Sequence, residues 1–444
     1  MTRIETFLDA AIWHGSLDRA TALLAEDPEL ATANIFIAAV LGDEAAVRRF
    51  LAEDPANATA RYGPFGGDAL TYLCLSKYLR LEPARTPALL QTATALLDGG
   101  ADAKSGFWTT GEHPEFETAL YGAAGVAHHP EMTALLLARG ADPNDDDSVY
   151  HSPETYDNRA MTLLVETGRL TRDNLAMMLI RKHDWHDYEG VKYLLEHGAD
   201  PNLDWRGRSS ALRHALLRDN ALKIIALLLD HGADPALVRQ GHSGVALAAR
   251  EGRSDVLELF EQRGIPIALE GVDRLIAACA MGDAANVRAL ADAEPALVAE
   301  LRAIGGTLLA KFCGTGNPPG VRQLLDLGVD VRAPFVEGDG YWGIPKGTLP
   351  IQIAAHRLQT NVVRLLIERG SPVDIAGENG ATPLKLALRA SVSSYWKEMR
   401  STALIKALLD AGASIEGIAL PTGYAEADDL LRLRGATSST SSPQ

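Results

Sequence analysis

The sequence predicts an all-α protein, a helical solenoid of about twelve helix–turn–helix repeats with long loops. Three observations lead to this fold class. The chain has 444 residues, more than the roughly 250–300 that one hydrophobic core usually organises. Leu and Ala dominate its apolar residues and aromatics make up only 6%, which favours helices over sheet. Finally, a short segment with a glycine followed by a polar turn recurs along the chain.

The recurring segment consists of an apolar pair, two mostly polar residues, a glycine and a short polar turn. Clear copies occupy residues 96–104, 136–144, 194–202, 228–236, 324–332, 366–374 and 408–416. We interpret each apolar pair as the inner face of a helix end. Each glycine then lies just past that end, where a left-handed backbone is needed. Weaker copies lie at 163–171, 290–298, 23–34 and 50–61, the last three with a proline turn.

The segment ATPLKLAL, residues 381–388, resembles the Thr-Pro-Leu-His-x-Ala helix opening of the ankyrin repeat. Degenerate versions of this opening occupy residues 117–124, 209–216, 243–250 and 348–355. The chain departs from the family pattern because only Thr382 and Pro383 keep the Thr-Pro pair, and Lys385 replaces the histidine. The resemblance implies a stack of helix pairs. One pair is too small to bury its own apolar side chains, so neighbouring pairs pack together and share a core.

The resemblance covers about residues 5–418. Successive glycine turns are 32 to 42 residues apart wherever no weaker copy intervenes, close to the family period of about 33 residues. We therefore expect one ankyrin-like array over residues 1–435, which ends in a capping helix at 424–435. The remaining residues, 436–444, are rich in Ser and Thr and are expected to form a disordered tail.

Four long or unusual segments follow a glycine turn, where ankyrin repeats place their finger loops. These finger-loop segments are 104–116, 145–156, 203–209 and 332–347. Aromatic and arginine side chains there are not required by the repeat core, and we predict that they line a concave groove and anchor a partner. The candidate partner-binding residues are Phe107, Trp108, Tyr150, His151, Tyr156, Trp205, Arg206, Phe335, Tyr341 and Trp342. The alternative, in which these side chains pack down and stabilise the loops, stays open.

Other segments fall between the two helices of a repeat. The insertions 76–88 and 389–402 are expected to lengthen helices and to project away from the groove, so that Tyr395 and Trp396 serve local packing. The glycine-rich segment 314–320 has neither a preceding strand nor a following Lys-Ser/Thr pair, which a phosphate-binding loop requires. It is therefore predicted to be a turn between helices.

A polar cluster accompanies the first two finger-loop segments. Its members are His113, Glu115, Glu117, Asp145, Asp146, Asp147, His151 and Glu154. Neighbouring repeats would bring these side chains within about 10 Å of each other, and such a pocket could bind a cation or perform acid–base chemistry. The alternative is a solvated acidic surface in which Asp147 or Ser148 caps the next helix.

The segment RKHDWHDYEG, residues 181–190, combines two histidines and two aspartates in a way that suggests a metal or catalytic site. Aligned with the other repeats, it becomes an inter-helix turn. Asp187 then caps the second helix, and His186 takes a position often held by glycine. His183 lies at the end of the first helix, where a cation is favourable. We expect no chemistry there, and expect Trp185 to pack against the adjacent repeat.

Composition limits the partners of the chain. The formal net charge of −16 repels phosphate backbones and anionic lipid, so neither nucleic acid nor membrane is an expected partner. Cys74, Cys279 and Cys313 lie far apart in apolar helical contexts and are expected to be buried, reduced thiols. Residues 1–15 do not resemble a signal peptide, and no stretch reaches the length of a membrane span. The sequence therefore predicts a cytoplasmic monomer without cofactor, metal or catalytic residues.

Two functions remain open from the sequence. The first is a protein–protein interaction or scaffold module, which the resemblance implies, because most ankyrin-repeat proteins are interaction modules. The second is an enzyme, or a protein that binds a small ligand or cation, with its site in the groove formed by residues 105–160. Aromatics spread over many repeats favour the first, and the acidic cluster near residues 113–154 favours the second.

Overall fold

A computed structural model describes residues 1–204, 209–377 and 380–437. Within these ranges the chain forms 27 α-helices and a single two-stranded antiparallel sheet, so the prediction of an all-α protein is confirmed apart from one β-hairpin. Two compact units divide the chain. The first contains residues 1–215 and 227–233, and the second contains residues 216–226 and the chain from 234 onward.

The first unit contains thirteen helices and the hairpin. They are α1 Arg3–Ala11, α2 Leu17–Glu26, α3 Ile35–Leu41, α4 Glu44–Glu53, α5 Ala69–Cys74, α6 Lys77–Leu81, α7 Thr86–Asp98, β1 Gly106–Trp108, β2 Phe116–Thr118, α8 Ala119–Tyr121, α9 Pro130–Ala138, α10 Asp146–His151, α11 Arg159–Glu166, α12 Arg172–Asp184 and α13 Tyr188–Glu196. One row of contacts runs α3, α5, α8, α10, α12, and a second runs α4, α7, α9, α11. Each of these nine helices thus packs against its neighbours in the same row.

Residues of two helices, α14 Ala211–Leu217 and α15 Leu222–Asp230, are shared between the units. The second unit continues with α16 Gly244–Arg250, α17 Ser254–Gln262, α18 Val272–Ala280, α19 Ala284–Ala293, α20 Pro295–Ala303, α21 Gly305–Thr315, α22 Pro318–Asp326, α23 Pro350–His356, α24 Thr360–Glu368, α25 Pro383–Ser393, α26 Thr402–Asp410 and α27 Ala425–Leu433. Here α23 packs between α21 and α25, and α24 packs between α22 and α26. The predicted last helix is present as α27, which packs against α26.

Glycines end the helices as the repeated segment predicts. Each clear copy has one glycine with a positive φ, at positions 100, 140, 198, 232, 328, 370 and 412. The turn between the two helices of a pair also contains a residue with positive φ, which is either glycine or another type. These turn residues are Trp13, Gly42, His128, His186, Asp219, Gly252, Gly282, Gly316 and Leu358. Gly316 follows α21 directly and Asn317 caps α22, so the predicted turn is present at residues 316 and 317, while the rest of segment 314–320 belongs to the two helix ends.

Two finger-loop segments are more ordered than the sequence suggested. Segment 145–156 was predicted to be a loop, but half of it, Asp146–His151, forms α10, so the prediction is wrong for those residues. The reason is local: Asp145 accepts a hydrogen bond from the backbone N–H of Ser148 and caps the helix, while Ser148 and Val149 are buried. Segment 104–116 forms most of the hairpin, in which Phe107 pairs with Glu117.

Burial also accounts for the cysteines. All three are buried free thiols, as predicted, and burial raises the pKa of each thiol.

Among the described helices, none combines the length and the apolar character that crossing a lipid bilayer requires. Of the predicted tail, residues 438–444 lie outside the described part of the chain.

Candidate functional site

A groove of about 620 Å³ lies in the first unit, between the hairpin and the helices α10 and α12. It brings together residues from both predicted clusters. Its lining consists of Trp108, Pro114, Glu115, Phe116, Thr118, Asp145, Asp146, Asp147, Tyr150, His151 and Met177. The candidate partner-binding residues of two finger-loop segments therefore meet at one surface.

The hairpin presents Trp108 to solvent. Successive side chains of a strand point to opposite faces, and the side chain before Trp108 faces inward. Phe107 is 1% exposed and its ring lies 5.2 Å from that of Phe65 and 5.8 Å from that of Trp13. Trp108 consequently faces outward, is 63% exposed, and contacts the ring of Phe116 at 5.1 Å. The buried aromatic layer supports an exposed aromatic side chain at the groove.

The first turn of α10 supplies the acidic wall. Asp145 is fixed from two sides, because it caps α10 and accepts a hydrogen bond of 2.5 Å from the hydroxyl of Thr118 on the hairpin. That bond ties the hairpin to the helix. Acidic residues are favoured in the first turn of a helix by its dipole, and Asp146 and Asp147 follow the cap directly.

Behind the groove, an arginine and a glutamate hold the far end of α10. The Glu154 carboxylate lies 2.8 Å from Nδ1 of His151 and forms an ion pair with Arg181. Arg181 also pairs with Asp184 at 2.5 Å and lies over the ring of Tyr150 at 4.2 Å. Burial alone would raise the pKa of Glu154. The hydrogen bond from His151 and the charge of Arg181 outweigh burial, so the pKa of Glu154 is lowered. Tyr150 and His151 are thereby fixed in position.

Several carboxyl groups here are protonated more readily than usual. Burial, followed by the charges of Asp147 and Glu115, raises the pKa of Glu117 to about 7. Glu117 is 4% exposed, and its Oε2 atom has no hydrogen-bond partner. Burial raises the pKa of Asp145 to about 6, and burial together with the charge of Glu115 raises that of Asp147. Near neutral pH, such groups can exchange protons.

Three of the carboxyl groups at the groove lack a cationic partner among the described residues. No described residue forms an ion pair with Glu115, Glu117 or Asp147. Within the described ranges, no group of three or more His, Cys, Asp or Glu side chains is placed to hold a metal ion. The groove therefore carries negative charge beside aromatic surface.

Three other candidate residues of the first unit lie outside the groove lining. Phe107 is part of the core beneath the hairpin and offers no surface to a partner. Tyr156 is exposed, but its ring contacts Trp185 at 5.5 Å instead of lining the groove. This contact also identifies what Trp185 packs against. His113 is exposed in the hairpin turn and is not part of the groove lining.

In the second unit, the candidates Phe335, Tyr341 and Trp342 belong to a different surface. Phe335 is buried with Ile344 and Ile353, and Trp342 packs against this cluster, so the two residues support the finger loop instead of extending from it. Tyr341 lines a cleft of about 350 Å³. Its ring lies beneath the guanidinium of Arg218 at 4.2 Å.

Charges in that cleft are largely paired within it. Lys311 donates to Glu251 at 2.6 Å, and Arg357 pairs with Asp219 at 3.2 Å. The Arg357 guanidinium also lies 4.8 Å from the rings of Trp342 and Trp396.

The position of Trp396 corrects one expectation. Segment 389–402 was predicted to project away from the groove that the finger loops line, yet the ring of Trp396 lies 4.3 Å from that of Trp342 in a finger-loop segment, and the ring of Tyr395 lies 5.7 Å from it. Trp396 does serve local packing, as predicted, but it packs against Trp342 of finger-loop segment 332–347. The remaining two candidates, Trp205 and Arg206, lie outside the described residues.

The segment 181–190 is an inter-helix turn, as predicted. His186 has a φ of 52°, and Asp187 accepts hydrogen bonds from the first backbone N–H groups of α13. His183 is fully buried, and burial lowers its pKa to about 3. Sequence reasoning missed the buried ion pair of this turn, in which the Lys182 side chain has no exposed surface and pairs with Asp187 at 2.8 Å.

No protein-family model matches the chain, and a search of curated proteins also finds no match.

Proposed function

We propose that the protein is a binding module in which ankyrin-like helix pairs carry a groove for a segment of a partner protein. Two features of the fold support the ankyrin-like repeat. The helices pack in two rows within the first unit, and a left-handed residue recurs at the inter-helix turns. In ankyrin-like proteins each helix pair stacks on the next one. The stack builds an extended surface that can bind a partner protein.

The exposure of Trp108 is the observation that carries the proposal. A tryptophan that is 63% exposed loses the benefit of burial, and a well-supported exposed aromatic is the kind of side chain that anchors protein interfaces. The hairpin beneath it is rigidly held by Phe107 and by the bond from Thr118 to Asp145. Binding would therefore cost little ordering of the site.

Acid–base chemistry in the same groove is the second candidate. It is favoured by the carboxyl group of Glu117, with a pKa near 7, and by the contact of His151 with Glu154. However, the Oε2 atom of Glu117 is buried, and Glu117 is not among the groove-lining residues. A binding role uses the side chains that do line the groove, and we prefer it for that reason.

The test compares partner capture by the wild-type chain with capture by Trp108→Ala. Truncating an interface anchor typically costs 2 kcal/mol or more, about a 30-fold loss of affinity. We expect specifically captured proteins to be lost, while far-ultraviolet circular dichroism stays unchanged. Tyr395→Ala is the matched control, since Tyr395 is an aromatic residue of the second unit that is 50% exposed.

Capture should persist with the control variant. If Trp108→Ala and Tyr395→Ala retain the same partners at the same affinity, the groove is not the binding surface and the proposal fails.

A further inference from the structure

The groove has two carboxylates, those of Glu115 and Asp147, that form no ion pair within the described part of the chain. Elsewhere the chain pairs its acidic groups readily, for example Asp184 with Arg181 and Asp187 with Lys182. Negative charge at the groove therefore remains available to a group from outside the chain.

A buried side chain adds an independent observation. Glu117 is 4% exposed and has a carboxyl oxygen without a hydrogen-bond partner. It lies close enough to Asp147, Glu115 and His151 to feel the charge of each. An unpartnered buried polar group is costly to a folded protein. Glu117 does not line the groove, so an incoming cation would act on it through the electric field, by countering the charges of Asp147 and Glu115.

The exposed ring of Trp108 can bind a cationic group as well. Cations are attracted to the face of a tryptophan ring, most strongly where the site also excludes water. Among the described residues, Trp108 contacts one other aromatic ring, that of Phe116, and it remains 63% exposed in the same groove that Glu115 lines. The chain already makes this kind of contact internally, since Arg181 lies over Tyr150 and Arg357 lies over Trp342.

We propose that the groove binds a basic protein segment, with an arginine or lysine side chain stacked on Trp108 and neutralised by Glu115 and Asp147. This inference rests on the proposed function and specifies the chemistry of the partner. The net charge of −16 acts in the same direction, because it attracts basic proteins over a long range and repels acidic ones. Arginine fits best, because its planar guanidinium can stack and form bidentate hydrogen bonds at once.

The experiment uses two fluorescein-labelled twelve-residue peptides of Gly and Ser, one with four arginines and one with four citrullines at the same positions. Citrulline has nearly the same shape as arginine but no charge. Fluorescence anisotropy is measured with the full-length chain at 50 mM and at 300 mM NaCl. We expect the arginine peptide to bind about tenfold or more tightly than the citrulline peptide, and its affinity to fall as salt screens the charges.

The matched variants separate the groove from the general charge of the protein. Glu115→Gln/Asp147→Asn should weaken binding of the arginine peptide about tenfold. Glu258→Gln/Glu368→Gln removes the same charge from exposed helix positions of the second unit and should leave binding unchanged.

Three outcomes overturn the inference: no binding of the arginine peptide to wild type, equal binding of both peptides, or equal weakening by the two double variants. These failures are distinguishable from failure of the proposed function. If partner capture depends on Trp108 but not on Glu115 and Asp147, the groove binds a partner whose segment is not basic.

Discussion

Lys182 is a lysine without exposed surface, and its partners explain how the fold tolerates it. Its ammonium group donates to the backbone carbonyl of Thr155 at 2.5 Å and to the carboxylate of Asp187 at 2.8 Å. Burial lowers the pKa of Lys182, while the hydrogen bond and the charge of Asp187 act to raise it. Asp187 thus has two tasks, since it also caps α13.

Asp187→Asn separates these two tasks. Asparagine caps helices about as well as aspartate, so the variant mainly removes the charge that pairs with Lys182. Breaking a buried pair by removing one partner costs about 3–5 kcal/mol, and we expect Asp187→Asn to lower the free energy of unfolding by about 3 kcal/mol. Urea denaturation followed by circular dichroism measures this change.

The control is Asp43→Asn. Asp43 caps α4 in the equivalent turn, where its carboxylate forms no ion pair with a described residue, and its replacement should change the free energy of unfolding by less than about 0.5 kcal/mol. Equal effects of the two variants would mean that the buried pair contributes nothing beyond the cap.

At the scale of one helix pair, backbone handedness defines the element boundaries. Gly198 ends α13 with a φ of 93°, and a Cβ atom built there would meet no atom within 4 Å. Gly340 also has open space around it, but its φ does not lie in the left-handed region. The two positions therefore differ in backbone conformation and not in crowding.

Gly198→Ala tests the importance of that conformation. A left-handed backbone costs a residue with a Cβ atom about 1–2 kcal/mol, and we expect the variant to lose that much free energy of unfolding. Gly340→Ala should be neutral, or more stable by up to about 1 kcal/mol, because alanine restricts the unfolded chain. Differential scanning calorimetry of the two variants measures this contrast, and equal melting temperatures would contradict it.

The same elements explain what could be predicted from the sequence. A glycine after an apolar pair is a local signal, because it reports a backbone conformation that few other residues adopt. Segment 145–156 was predicted to be a loop because its three aspartates are typical of a turn, but Asp145 caps a helix in which Ser148 and Val149 are buried.

Long-range contacts account for the remaining differences. Trp396 and Trp342 are 54 residues apart in the sequence, with rings 4.3 Å apart, and no local pattern indicates that pairing. For the candidate site, the sequence identified the acidic residues of the groove lining together with Trp108, Tyr150 and His151, and it missed Phe116. It could not separate the supporting Phe107 from the exposed Trp108, because both depend on which face of the hairpin is buried.

At the scale of the whole molecule, stability is expected to be local. Within each unit, helices contact the neighbouring pair and few elements far along the chain. In the repeat array that we propose, the total stability would approximate a sum over repeats and their interfaces, and opening would occur in contiguous groups of elements. A lesion should therefore weaken its own neighbourhood.

Hydrogen exchange with mass spectrometry tests this expectation with one lesion in each unit. Asp187→Asn should speed exchange in α12 and α13, and leave α23 and α25 at the wild-type rate. Trp342→Ala removes a large side chain that packs on Trp396 and Ile353, a change that typically costs about 3–5 kcal/mol. It should speed exchange in α23 and α25 and leave α12 and α13 unaffected. If either variant speeds exchange equally along the whole chain, the molecule unfolds as one cooperative body, and stability is not divided among its repeats.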